Sequence, residues 1–176
     1  MIVTLLPCYL AMFFASPDTL VLTLFAVCII LHLLFVKKEH LFVNLVAVYI
    51  AFALLFVVPL ASQSIREWLS GHPFARGITF LAAVVLIHAL FRKSNIKWFS
   101  RQIAPTQFST SFLYRIAIVG LCFSAVFFFL PEDIRARLGA VIDVIFLNWI
   151  ALLFWFCLPL FLAFAYRFKA RNGWVE

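Results

Sequence analysis

Charge is scarce in this chain. Asp, Glu, Lys and Arg make up 12% of its 176 residues, where soluble domains carry about a quarter. That shortfall excludes a water-soluble globule. A domain of this size leaves much of its surface exposed, and 66% of the residues here are hydrophobic. Lipid is the expected solvent for most of them. Acids are rarer than bases, seven against fourteen. On a soluble protein the formal net charge of +7 would raise nucleic acid as a partner. Here the cations stand at the ends of apolar runs, so membrane orientation accounts for them and nucleic acid is not expected.

Motifs that would name a chemistry are also missing. The chain holds no G-x-G-x-x-G, Walker sequence, H-E-x-x-H, G-x-S-x-G or C-x-x-C. Its four cysteines, Cys8, Cys28, Cys122 and Cys157, are scattered through apolar segments. That favours small buried hydrophobes over a zinc site or a disulfide framework. Asp143 has no aspartate partner inside an apolar segment, so paired-aspartate proteolysis is unsupported. The expectation is a protein that is not an enzyme, with no catalytic residue, no cofactor and no metal. No cation precedes Lys37, and residues 1–19 hold no clear small-x-small cleavage site. The first segment is therefore expected to be retained rather than removed as a secretory signal.

What fills the chain is phenylalanine, 23 of them, in long runs that raise the mean hydropathy to +1.13. Six runs stand out: 2–15, interrupted by Pro7; 20–36; 41–60; 74–91; 112–130; and 141–166, with Pro159 as the expected kink. Strands of a membrane barrel need only ~10 residues and alternate in polarity; these runs do not alternate. A helix satisfies its own backbone without water, and ~20 residues cross the ~30 Å of hydrocarbon. The expected fold is all-α: a polytopic integral membrane protein, one helical transmembrane domain over residues 1–176. It should have five or six transmembrane helices and short interfacial helices. Ser64–Leu69 carries apolar residues at i, i+3 and i+4 and reads as a surface helix. Pro131-Glu132-Asp133 opens another, acids first, with Ile134 and Leu138 facing lipid or protein and Arg135 and Arg137 pointing away. Ser16 or Asp18 would cap the second apolar run.

The cations divide unevenly between the two sides. If the segments alternate, Lys37, Lys38, Arg92, Lys93, Lys97, Arg101, Arg167, Lys169 and Arg171 fall on one side, nine in all. The other side has Arg66, Arg135 and Arg137, with Arg76 just inside its span. Cation excess marks the cytoplasmic side. Both termini are then cytoplasmic and the location is the bacterial cytoplasmic (inner) membrane. The densest stretch, "FRKSNIKWFSRQ" at 91–102, contains no acid. It reads as a cytoplasmic interfacial helix, with Arg92, Lys93, Lys97, Trp98 and Arg101 as its lipid-headgroup surface. Anionic headgroups would be its partner, at about 1 kcal/mol per cation. The other reading is a solvated loop whose charges only set topology.

Ionisable groups inside a span are costly and suggest function. His32, His88 and Arg115, with Asn44 as a neutral companion, form the candidate intramembrane polar cluster. All three ionisable groups fall near the cytoplasmic boundary, where long side chains can reach water. The plainer reading is helix-end residues paired locally or wetted; the sharper one is a functional cluster. "IILHLLFVKK" and "VLIHALFRKS" share H-x-L-F-x-K around His32 and His88, either as a remnant of duplication or as ordinary helix-end composition. Asn148, Trp149, Trp155 and Pro159 read as packing and kink residues.

The run from about Thr19 to Lys93 resembles, in layout, the colicin V production protein family of small bacterial inner-membrane proteins. An apolar helix ends in the basic connection Lys37-Lys38-Glu39-His40, and the long helix Leu41 to Leu60 follows. After a polar segment, another helix ends in Arg92-Lys93. The connection 37–40 has neither Gly nor Arg, where that family usually carries a Gly/Arg motif, and segment 2–15 is additional. No functional residue carries over. The resemblance implies an accessory role in export or envelope maintenance. The expected function is a non-enzymatic scaffold of that kind, with a second copy or another membrane protein as partner. The alternative is an ion or small-solute transporter or channel subunit.

Overall fold

The computed structural model describes residues 16–72, 74–93 and 108–172. Their regular structure is helical throughout. Helix α1 is Pro17–Phe35, followed by a 3-10 turn at Lys38–His40 and by α2, Leu41–Ala61. Helices α3 (Gln63–Gly71), α4 (Ala75–Lys93) and α5 (Phe108–Phe128) come next. The short α6 (Glu132–Arg135) and α7 (Ala140–Ile142) lead into a π-helical turn at Asp143–Leu147, and α8 runs Trp149–Asn172. Three helical stretches are each long and apolar enough to cross a membrane: Pro17–Phe35, Lys38–Ala61 and Phe108–Phe128. The bent pairs α3 with α4 and α7 with α8 raise the number to five if each pair is one span. Segment 2–15 lies outside the described residues.

Local chemistry explains the ends. Ser16, extended at φ −93° and ψ 136°, caps α1: its Oγ accepts from Thr19 N at 3.2 Å, and Pro17 takes the first turn, where no N–H is needed. Asp18 does other work. Its Oδ2 accepts from Val141 N at 3.4 Å, so it reaches across to the start of α7. A Cβ at Gly139 would run into the Asp18 carboxyl, so glycine is what permits that approach. At the end of α2, Arg66 Nε on the surface helix α3 donates to Pro59 O at 3.2 Å. A cation thereby meets a C-terminal carbonyl, where the helix dipole favours it. Leu69 is the buried residue of α3, while Ile65 and Trp68 stay exposed.

The bundle closes around α5, which packs against α1, α2, α4, α8 and the π turn. In its most apolar window 56% of residues are buried, against 6% for α1. Small residues let the neighbours approach: Gly120 receives the ring of Trp155, and Ala117, Ser124 and Ala125 are fully buried. One core joins Leu45, Val48 and Ala51 of α2, Phe80 and Ile87 of α4, and Ile118 and Leu121 of α5. A second gathers Val21, Phe127, Ile142, Phe146 and Trp155. Phe146 and Trp155 stack at 5.8 Å, and Phe25 meets both edge-on.

The last apolar run is broken, and Pro159 is not where it breaks. The 44° bend falls at Leu147 and Asn148, while Pro159 is fully buried inside α8. Asn148 N still bonds Asp143 O at 2.7 Å, the π-type spacing. Ile150 N, which would continue that ladder to Ile145 O, turns instead to Asn148 Oδ1 at 3.2 Å. Trp155 Nε1 then donates to Ile145 O at 2.7 Å. Arg135 also departs from expectation: it is half-buried, with its Nε enclosed, rather than pointing away.

A Cβ at Gly120 would fall inside the Trp155 indole. Gly120→Val should therefore cost about 1–3 kcal/mol through overpacking. Adding Trp155→Ala should remove most of that increment, because the two sites share one space. Thermal unfolding of the purified single and double variants checks this; additive losses would show that the ring does not occupy the glycine's place.

Candidate functional site

The ends of α1, α2, α4 and α5 that meet the connections 36–40 and 94–107 carry the polar residues singled out above. His32 lies one turn before the end of α1, about 5 Å from it, and Asn44 one turn into α2. Arg115 stands two turns into α5, about 10 Å from its start. His88 is on α4, near its last turn. The apolar runs place these residues on helices, and the packing of α1 and α2 on α5 brings them together.

Asn44 Nδ2 lies 3.2 Å from His32 Nε2. An amide nitrogen only donates, so in this arrangement Nε2 accepts and the proton of a neutral ring sits on Nδ1. Arg115 Nη1 donates to His32 O, a carbonyl that also takes Val36 N at 3.2 Å as α1 ends. The guanidinium thus stands at a helix C-terminus, where positive charge is favoured. Arg115 is 6% exposed. Its Nε and the Nδ1 of His32 are both enclosed without a hydrogen-bond partner. His88 is near enough to act on His32 electrostatically, as is Arg115. His88 also meets His40 edge-to-face, ring centres 6.3 Å apart.

His32, Asn44 and Arg115 are therefore linked directly, and His88 adjoins them. His40 was missed by sequence reasoning, which assigned the whole of 37–40 to a topology signal; its one clue was a histidine beside the basic pair. Arg92 and Lys93 close α4, and Lys93 is exposed. Lys97, Trp98 and Arg101 lie outside the described residues. Among the described residues no three His, Cys, Asp or Glu side chains are arranged to hold a metal ion. The cluster is rich in donors and cationic groups. It can bind an acceptor or an anion.

The chain matches no family model, no curated protein and no solved structure.

Removing Asn44 leaves the His32 ring without its partner. A double-mutant cycle with His32→Ala and Asn44→Ala should give a coupling of about 0.5–1.5 kcal/mol, the range of hydrogen bonds between apolar-embedded helices. Thermal unfolding in detergent reads it. A coupling of zero would mean that the two side chains do not meet.

Proposed function

We propose that this chain is a multi-pass integral membrane protein that acts as a non-enzymatic scaffold or accessory in export or envelope maintenance. Its place would be the bacterial cytoplasmic membrane, with the His32 end of the bundle facing the cytoplasm. The observation that carries the membrane reading is the outer surface. On α1 alone Leu20, Leu24, Val27, Ile30, Leu31, Leu34 and Phe35 are exposed. Burying a whole side chain of this kind gains ~1.5–3 kcal/mol, and at 43–79% exposure each would gain part of that on leaving water. Left in water, this helix alone would waste as much free energy as holds a whole domain together, ~5–15 kcal/mol.

The scaffold reading draws on the interior. Phe52, Phe56, Phe128, Phe129 and Phe156 fill the space between α2, α5 and α8, with ring centres 4.6–6.1 Å apart. The buried polar side chains of the described residues are Ser111, Arg115 and Ser124. A solute path would need more polar lining than one serine at mid-helix. The layout shared with the colicin V production family adds support for an export role. The transport reading draws on the His32–Asn44–Arg115 node. Under it, protein in liposomes would pass ions or a small solute, and Arg115→Ala would stop the flux.

In a cysteine-free background, Lys38→Cys should react with an impermeant maleimide only after the cells are opened. Ser64→Cys, on α3, should react in intact cells. The reverse pattern would turn the protein over, and recovery of the chain in the soluble fraction would end the membrane reading. Cross-linking in native membranes should capture a defined partner, whereas flux without a partner would favour transport.

A further inference from the structure

We infer that the seam where His32 of α1 and Asn44 of α2 meet over Arg115 of α5 is a binding site for a phosphate group, supplied by the headgroup of an anionic phospholipid. The inference rests on the membrane reading above and goes beyond the scaffold reading.

The first argument is a count of donors. Asn44 occupies His32 Nε2, which leaves Nδ1 carrying the proton. That N–H and the Nε–H of Arg115 are both enclosed and both lack an acceptor. Enclosed polar groups in native proteins are nearly always satisfied, and a guanidinium does not shed its proton. An enclosed guanidinium N–H without an acceptor therefore marks the place of a missing one. Among the described residues no carboxylate supplies it. Glu39 is the acid of this end, and it does not reach Arg115 Nε.

The second argument is charge. Arg115 bonds only to a neutral carbonyl, and Lys37, Lys38 and Lys93 stand at the same end of the bundle. The missing acceptor is thus negative. A phosphate accepts through several oxygens and matches the flat donor edge of arginine.

The third argument is position. Helices α1 and α2 both pack on α5, and each has more contact with α5 than with the other. The node lies about 5–10 Å inside the helix ends, the depth of headgroup and glycerol in a bilayer. Basic sites between helices on the cytoplasmic side hold anionic headgroups. A lipid whose tails lie along the exposed face of α1 would place its phosphate over Arg115 once the guanidinium, 6% exposed here, turns outward to meet it.

The test is thermal unfolding of the full chain in neutral detergent, titrated separately with phosphatidylglycerol, phosphatidylcholine and inorganic phosphate. Phosphatidylglycerol should stabilise the wild type at lower concentration than phosphatidylcholine. Arg115→Gln should weaken that effect about tenfold, the loss of one charge-assisted hydrogen bond. A Lys37→Gln/Lys38→Gln double variant, which removes two exposed cations, should weaken it less. If Arg115→Gln does not fold, Arg115→Lys serves: it keeps the charge, loses the planar donor edge, and should still bind less tightly. Equal stabilisation of wild type and both Arg115 variants would overturn the site. Equal effects of the two lipids would overturn its preference for an anion. If inorganic phosphate alone reproduced the whole effect, the lipid as the source would be overturned. The membrane reading itself fails separately, by recovery of the chain in the soluble fraction.

Discussion

A polar group that leaves its helical ladder in this chain must be met by another protein group, because the neighbouring surfaces are apolar. An unmet group in such surroundings costs several kcal/mol. This constraint shapes each irregular point of the fold. At the π turn, the Asn148 side chain takes Ile150 N and Trp155 takes Ile145 O, so the bend exchanges these two partners for side-chain ones. In α8, Pro159 has no N–H to offer Trp155 O. One residue further, Tyr49 Oη donates to Phe156 O and ties α8 to α2. At the close of α2, Arg66 answers the Pro59 carbonyl. The Trp155, Tyr49 and Arg66 bonds each join two elements, so they also fix how those elements sit together.

The same constraint explains how α1 is held. Few of its residues are buried, and it leans mainly on α5. Under the membrane reading proposed above there is little hydrophobic drive to dock such a helix, and packing and hydrogen bonds have to supply it. Polar contacts fasten α1 at both ends: Asp18 to Val141 N at one, His32 to Asn44 and Arg115 at the other. Between these ends Phe25 sits against Phe123, Phe146 and Trp155. A helix attached mainly at its ends leaves its long outer face available, whether to lipid tails or to a partner helix.

The helices themselves were readable from residue type. The runs 41–60 and 74–91 became Leu41–Ala61 and Ala75–Lys93, because ~20 apolar residues have no other way to satisfy their backbone away from water. The position of the break in the last run was not readable. Proline is a visible signal, but Pro159 is absorbed in a buried helix. Asn148 marks the bend only because Trp155 stands ready to take the carbonyl it frees, and that is a fact of packing. The polar node was readable in part. Alternating connections put His32, His88, Asn44 and Arg115 at one end, whereas their convergence depends on α1 and α2 sharing α5 as a floor. His40 was hidden for a different reason, since a histidine in a basic turn looks like part of the charge signal until its ring is found against His88.

Arg115 is where local agreement fails. Through most of the bundle residue type, burial and partner agree, the condition under which a sequence specifies one structure, although Ser124 Oγ and Arg135 Nε are also enclosed without a partner. Here a guanidinium is 6% exposed, yet its described hydrogen bond goes to a backbone carbonyl. A hydrogen bond to a charged group contributes about 1.5–3 kcal/mol. Removing an ion from water costs several kcal/mol even after relaxation. The α1 terminus adds at most ~2 kcal/mol through its dipole. These terms do not balance comfortably, and leucine or alanine at this place in α5 would avoid the deficit. The residue makes physical sense once a negative group completes its shell. In a chain with twice as many bases as acids, the lipid proposed above would supply that group from outside the chain.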